Sequence, residues 1–252
     1  MSDLSQTEKS ESILQNINLL LIGVKNQRVL KFSYSAKVTE INSAEELPLK
    51  NQNVTEKNYS VAIPDFILFD SIKNAEIKKI RENDLFVAVP ILIIQNDFED
   101  KSLFDEISET PRLLVCNTCV VNSEVFQKHL LALAEKKKKI LSSRTGVIVK
   151  YTIFFINTGI QKQLTRGKLA EKAGVTEDYL TRIFHEEMGV PLWDYLNLIR
   201  MDSAKKLLLQ TDDSIYLIAE KSGFPDAAYF NRVFHKQFGM TPGAFRKAGI
   251  PS

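Results

Sequence analysis

Glycine, cysteine and long apolar runs are all scarce in this chain of 252 residues. Gly23 is the only glycine among the first 140 residues, which argues against a β-barrel of many short strands joined by glycine turns. Two cysteines cannot build the disulfide framework of a small secreted domain. The apolar segments, such as 17–24, are far shorter than the ~20 residues of a membrane span. The polar, acid-containing start is unlike a secretory signal. We therefore expect a cytoplasmic protein with no membrane partner.

The composition is that of a globular protein, with 44% hydrophobic and 25% charged residues. The length allows two domains, each able to bury a core. Residues 1–140 carry 18 basic and 20 acidic side chains, whereas residues 141–252 carry 15 and 11. The second half is therefore mildly basic, which suits a polyanionic partner but does not by itself identify one.

An internal repeat organises the second half. Residues 169–189 read LAEKAGVTEDYLTRIFHEEMG, and residues 218–239 read IAEKSGFPDAAYFNRVFHKQFG. The copies align at an offset of 49 up to Gly174 and Gly223, and at 50 beyond one inserted residue. Such self-similarity indicates two copies of one supersecondary unit.

Each copy has the pattern of a helix, a short turn with glycine, and a second helix. Thr165, Thr176 and Ser214 are predicted N-caps. Gly174 occupies a position where a helix commonly ends in a left-handed residue. The second helices carry apolar stripes at three- and four-residue spacing, ending at glycine. This is the helix-turn-helix pattern, in which the second helix enters the major groove of DNA.

Residues 192–209 lie between the copies and have helical spacing without glycine or proline. A rigid helix there would hold the two second helices at a nearly fixed separation. The pattern therefore predicts an all-α region with two helix-turn-helix units joined by a long helix.

These residues resemble the DNA-binding domain of the AraC/XylS transcription regulators over 145–249. The most specific pieces are DYLNLIR followed by AKKLL, SIYLIAEKSGF, and YFNRVFHKQFGMTPGAFR. The resemblance implies a bacterial, sequence-specific regulator that binds promoter double-stranded DNA and has no catalytic residues, cofactor or metal. Its implied partners are RNA polymerase and a second copy of the chain. We place a linker at 141–146 and this domain at 147–252.

The resemblance also assigns DNA contacts to the outward faces of both units. Arginine can fork onto guanine and asparagine can read adenine, while alanine can only touch a thymine methyl. An acid at position 178 repels phosphate, so the first copy would either read cytosine there or contribute little to binding. The predicted contacts are Asp178, Thr181, Arg182, His185, Ala227, Ala228, Asn231, Arg232, His235, Lys168 and Arg246. Further basic side chains that could neutralise the DNA backbone are Arg200, Lys205, Lys206 and Lys247.

The first half contains five apolar runs of strand length after a predicted mobile tail at 1–14. The runs are 17–23, 37–41, 65–70, 87–94 and 112–116, and a helical pattern follows at 124–140. Continuous rather than alternating apolar runs are typical of a parallel sheet that is covered on both faces. Residues 15–140 are therefore predicted to form an α/β domain with a five-stranded parallel sheet.

The order of these runs resembles the receiver domain of two-component response regulators, a flavodoxin-like fold. The segment DFILFD looks like the third strand, which would make Asp70 the phospho-acceptor. The acidic pair of the family falls at about Gly23 and Val24, its hydroxyl at about Gln95, and its lysine among 116–119, where this chain has none. Phosphoryl transfer to an aspartate needs Mg²⁺ held by carboxylates. We therefore expect a degenerate receiver that is not phosphorylated and serves dimerisation or signal sensing.

Three alternatives stay open at this point. Asp70 could still accept phosphate, as in a phosphorylation-controlled response regulator. The first half could bind a small ligand, as in many regulators with an AraC-type domain. Finally, Cys116 and Cys119 form C-x-x-C between a strand and a helix, the local setting of a thioredoxin-like redox protein.

Overall fold

The fold of the first half is a parallel five-stranded sheet. The computed structural model describes residues 17–24, 37–48, 63–96, 98, 100–134, 143–159 and 164–249; the predicted tail at 1–14 lies outside them. The strands are β1 (Asn18–Ile22), β2 (Lys37–Ile41), β3 (Phe66–Phe69), β4 (Ile91–Ile94) and β5 (Leu113–Cys116). Their order is β2-β1-β3-β4-β5, and every pairing is parallel. The predicted fold class is confirmed, and this order is the flavodoxin-like one.

Strands β1, β3, β4 and β5 form where the chain is mostly or wholly apolar, whereas the edge strand β2 reads KVTEI and only its last residue is buried. All residues of β3, β4 and β5 are buried, as expected for strands covered on both faces. The run predicted at 87–94 was too long, because residues 84–88 form a turn and β4 begins at Ile91. Pro90 explains the difference, since proline has no N–H to donate within a central strand.

Helices cover the sheet, and they are the regular elements of the described part of the second half. In the part of the chain that is described they are α1 (Asn74–Glu82), α2 (Lys101–Ser108), α3 (Thr118–Val121), α4 (Glu124–Ala134), α5 (Ser143–Thr158), α6 (Arg166–Ala173), α7 (Glu177–Met188), α8 (Leu192–Gln210), α9 (Ile215–Lys221), α10 (Ala227–Phe238) and α11 (Pro242–Ala248). The segment predicted as a linker, 141–146, therefore includes the first residues of α5. None of these helices is long and apolar enough to cross a membrane.

The predicted caps define the helix-turn-helix units. The side chains of Thr165, Thr176 and Ser214 each accept a hydrogen bond from the backbone N–H three residues later. Gly174 ends α6 in the left-handed conformation with φ = 67°. The α6–α7 and α9–α10 pairs thus form as the local sequence predicts, and α8 joins them.

Two hydrophobic cores meet inside α8. One contains the sheet, α5 and the first helix-turn-helix unit, and ends along the chain at Ile199. The other begins at Met201 and contains the second unit and α11. Helix α5 packs against β5 and α2 as well as against α6 and α7. The first unit is therefore built onto the α/β domain, whereas the second has a core of its own.

Candidate nucleic-acid interface

Helix α7 is the second helix of the first unit, and we call it the first reading helix. Its apolar stripe, which includes Leu180, Ile183 and Phe184, is buried against the core. The opposite side presents Asp178, Arg182 and His185 as exposed residues, with Thr181 half-buried. The structure therefore brings these four predicted contacts together on one accessible face.

Helix α10 is the second reading helix and repeats this arrangement. Asp226 caps it by accepting a hydrogen bond from Tyr229 N at 2.6 Å. Phe230 and Phe234 are buried. Of the predicted contacts, Ala227 is half-buried; those that are exposed are Ala228, Asn231, Arg232 and His235. Asn231 Nδ2 donates to the carbonyl oxygen of Ala227 at 2.8 Å, so its amide must turn to reach a base.

A tyrosine lies beside the reading arginine in each unit. The Arg182 guanidinium is 5.2 Å from the ring centre of Tyr179, and that of Arg232 is 5.9 Å from the ring centre of Tyr229. Cation–π contacts of this length restrict where an exposed guanidinium can point. Sequence reasoning missed the role of both tyrosines, although the i, i+3 spacing on a helix was visible.

The two reading faces differ in charge at more than one matched position, and one of these positions lies beside the reading arginine. Arg182 Nη1 contacts Glu186 Oε1 at 3.1 Å and Oε2 at 3.2 Å, with 57% and 43% of the two side chains exposed. The residue that corresponds to Glu186 in the second unit is Lys236, which is exposed. The reading arginine of the first unit is thus paired with an acid, while that of the second has a cation one turn away.

The remaining two predicted contacts have different environments. Lys168 is exposed in the first turn of α6. Arg246 is half-buried on α11, and its guanidinium donates to the carbonyl oxygens of Asp213 at 2.6 Å and Leu208 at 3.4 Å. Arg246 therefore connects α11 to the end of α8.

The prediction that Arg200 could neutralise DNA phosphate was wrong. Its side chain is 1% exposed, and its guanidinium lies 5.3 Å from the ring centre of Trp193 and 5.7 Å from that of Phe224. Burial lowers the pKa of Arg200 to about 10. The long apolar stem of arginine allows it to pack in a core, and the two units cover this side of α8.

Helix α8 joins the two helix-turn-helix units along the chain. Its 19 residues span about 28 Å at 1.5 Å per residue. Two helices that enter successive major grooves on one DNA face need about 34 Å, and bending of the duplex relaxes that requirement.

A second polar cluster lies at the carboxyl ends of β1 and β3. Lys73 Nζ contacts Asp70 Oδ1 at 3.2 Å and donates to the carbonyl oxygen of Gly23 at 2.7 Å. Gln95 Oε1 accepts a hydrogen bond from Ile72 N at 3.2 Å. Parallel sheets with this strand order bind ligands where β1 and β3 diverge. The ammonium group of Lys73, which sequence reasoning missed, occupies this place next to Asp70.

The C-x-x-C pair lacks the environment of a reactive thiol. Cys116 is fully buried in β5, and Cys119 is half-buried in α3. Burial raises the pKa of both thiols, whereas a reactive cysteine needs a lowered one. Across the described ranges, no three His, Cys, Asp or Glu side chains come together as a metal site.

Known proteins match this chain mainly in its second half. A family model described as "Helix-turn-helix domain" matches residues 169–248. The HTH-type transcriptional regulator YpdC of Escherichia coli (strain K12) is 33% identical over 91 residues, which are 36% of this chain and 32% of that protein. The lactose operon transcription activator of Staphylococcus xylosus is 22% identical over 220 residues, 85% of this chain and 79% of that protein.

Among the solved structures that are similar to this chain, one covers about the same share of it as YpdC does. The C-terminal domain of the two-component response regulator yesN from Fusobacterium nucleatum is 37% identical, with a TM-score of 0.37, and covers 38% of this chain and 95% of that chain. This chain spans about a third of the Escherichia coli relative and about four fifths of the Staphylococcus relative.

Proposed function

We propose that this chain binds a specific promoter sequence in double-stranded DNA and regulates transcription, because residues 169–248 match a helix-turn-helix family model and resemble the DNA-binding domain of AraC/XylS regulators. The observation that carries the proposal is the repeated reading face. Two outward arginines, Arg182 and Arg232, each lie beside a tyrosine, and one long helix joins the two units.

The contacts within this proposal follow from side-chain chemistry. Arg182 and Arg232 fork onto guanine, and Asn231 reads adenine after turning away from Ala227. Thr181, Ala227 and Ala228 touch base edges and thymine methyl groups, while Asp178 admits only a cytosine. His185, His235 and Lys168 contact phosphate. Arg246 instead stabilises the packing of α11 against the end of α8, because its guanidinium donates to the backbone carbonyl oxygens of Leu208 and Asp213.

The α/β domain serves dimerisation or signal input without phosphorylation of Asp70. Phosphoryl transfer needs Mg²⁺ bridged to the acceptor, and the ammonium of Lys73 lies next to the carboxylate that would bind it. A dimer would tether two DNA-binding domains and raise affinity through effective concentration. RNA polymerase is the further partner that a bound regulator would contact.

Selection of duplexes from a random-sequence pool, followed by fluorescence anisotropy on the selected site, tests the proposal. Each of Arg182→Ala and Arg232→Ala should weaken specific binding by about 1–3 kcal/mol. Binding to an unrelated duplex should change much less. Failure to select any preferred sequence would contradict the proposal, and so would wild-type affinity in both variants.

A further inference from the structure

A cleft of about 550 Å³ lies where the α/β domain, helix α8 and the second reading helix come together. Val125 at the start of α4 forms one wall and is 53% exposed. Helix α8 provides the floor, and α10 forms the opposite wall. The lining residues that bear on its chemistry are Val125, Trp193, Asp194, Asn197, Val233 and Lys236.

The cleft spans the boundary between the two cores. Trp193 packs against the core that includes the sheet and the first unit, whereas Val233 packs against the core of the second unit. A molecule held in the cleft would therefore touch both bodies at once. If α10 can take two orientations relative to α7, a molecule that binds one of them more tightly shifts the population toward that orientation.

A hydrogen-bond network connects the cleft to the DNA-reading face. Trp193 Nε1 and Asn197 Nδ2 both donate to the hydroxyl oxygen of Tyr229 at 3.3 Å. The ring of Tyr229 in turn lies beside the guanidinium of Arg232. A ligand that shifts Trp193 or Asn197 would thus act on the residue that positions the reading arginine.

Two oppositely charged side chains line the cleft on different helices. Asp194 belongs to α8 and Lys236 to α10, and both are exposed. The Asp194 carboxylate accepts hydrogen bonds from an ammonium group, and the Lys236 ammonium pairs with a carboxylate. The charges of the lining therefore favour a ligand that carries both groups.

We propose that this cleft binds a small zwitterion with an apolar body, of the kind represented by a free apolar amino acid. The ammonium group meets Asp194 on α8, and the carboxylate meets Lys236 on α10. The apolar body packs against Trp193, Val125 and Val233. The site goes beyond the DNA contacts proposed above, because it is a place where a metabolite could alter the second reading helix.

Trp193 is the only tryptophan in the chain, so its fluorescence reports directly on this cleft. L-phenylalanine and L-leucine serve as probes, and both should change the emission in a saturable way. Phenethylamine lacks the carboxylate and 3-phenylpropanoate lacks the ammonium group. Each should bind about tenfold or more weakly than L-phenylalanine, since a missing ionic contact costs about 1.4 kcal/mol or more.

Val125→Phe places a larger side chain in the cleft at a position that is 53% exposed and therefore outside the core. This variant should lose the fluorescence response to the probes. Val87→Phe is the matched control, because Val87 is also an exposed valine of the α/β domain and does not line the cleft. It should keep the wild-type response.

Three results would overturn the proposal. They are no change in Trp193 emission with either amino acid up to its solubility limit, an equal response in Val125→Phe, and equal binding of the singly charged analogues. DNA affinity is measured separately on the selected duplex. If the chain binds DNA but its Trp193 emission does not respond to the probes, only the cleft proposal is wrong. If the emission responds but the chain does not bind DNA, only the proposed function is wrong.

Discussion

The imidazole of His129 packs directly on Gly189. His129 belongs to α4 of the α/β domain, and Gly189 ends the first reading helix in the left-handed conformation with φ = 65°. A β-carbon on Gly189 would overlap the ring of His129. His129 Nε2 also lies 2.6 Å from the carbonyl oxygen of Glu187, to which its N–H donates. The α/β domain thus holds the end of the first reading helix through one aromatic side chain.

Gly189→Ala should destabilise the chain by about 2–4 kcal/mol. The left-handed backbone costs about 1 kcal/mol for alanine, and the overlap with His129 adds the cost of an overpacked core, about 1–3 kcal/mol. Denaturant unfolding measures the difference. Gly239→Ala is the matched control, because Gly239 ends α10 with φ = 70° and has open space around it. That variant should lose about 1 kcal/mol only.

The contact itself is tested by a double variant. His129→Gly removes both the ring and the β-carbon that a methyl group on Gly189 would overlap, so Gly189→Ala should cost about 1 kcal/mol in that background, the cost expected at Gly239. An undiminished cost in the absence of the ring would show that the backbone conformation alone accounts for the effect.

Lys150 makes folding stability depend on pH in the alkaline range. This residue of α5 is 4% exposed, and its ammonium donates to the carbonyl oxygens of Ser108 at 2.8 Å and Thr110 at 2.7 Å. Burial lowers the pKa of Lys150 from 10.5 to about 8. Between these two values the unfolded chain binds more protons than the folded chain, so this group makes the free energy of unfolding rise as pH increases from about 8 to about 10.5.

The comparison that isolates this effect is with Lys150→Met. The variant cannot donate to the carbonyls at the end of α2, but it also lacks the titration. The free energy of unfolding of the wild type should rise relative to that of Lys150→Met by up to about 3 kcal/mol across the alkaline window. Parallel pH profiles for the two proteins would show that the pKa of Lys150 is the same in the folded and unfolded chains.

Glu186→Gln should strengthen DNA binding. The substitution frees Arg182 from its ion pair and removes a negative charge from the reading face. An exposed pair of this kind is worth about 0.2–1 kcal/mol, so we expect the dissociation constant on the selected duplex to fall about two- to fivefold at low salt. Lys236→Gln at the matched position should raise it and reduce the salt dependence. An increase of the dissociation constant in Glu186→Gln would contradict the expectation.

Incubation with Mg²⁺ and a small phosphodonor should leave the chain unphosphorylated, because Gly23 and Val24 stand where the acidic pair that would hold Mg²⁺ is expected, and the Lys73 ammonium pairs with Asp70. Mass spectrometry measures incorporation, and Asp70→Asn should bind DNA like the wild type. Lys73→Ala removes the ammonium group but does not restore the acidic pair. If this variant becomes phosphorylated, the lysine blocks the reaction; if it does not, the missing acidic pair is sufficient to prevent it. Stoichiometric phosphate on Asp70 in the wild type, together with a rise in DNA affinity, would establish the phosphorylation-controlled alternative.

Local sequence predicted the helix-turn-helix units well. Thr165, Thr176 and Ser214 cap helices because their side-chain oxygens reach N–H groups only three residues away. Gly174 ends its helix through its own backbone freedom. The apolar stripes of α7 and α10 follow from helical geometry. The limits of β4 could also have been read correctly, since Pro90 alone excludes the earlier start.

The sequence by itself thus determined the repeat, the caps, the apolar faces and the parallel sheet, all of which depend on neighbours along the chain. Only the tertiary structure decided that Arg200 is buried between two aromatic rings, that Lys73 reaches Asp70 and the Gly23 carbonyl, and that His129 packs on Gly189. The Lys73 contact with Gly23 joins residues 50 apart, and the hydrogen bond of His129 to Glu187 spans 58. Such contacts exist only after the sheet order and the docking of α5 place distant segments side by side, because no local periodicity encodes which charged side chain a core will enclose.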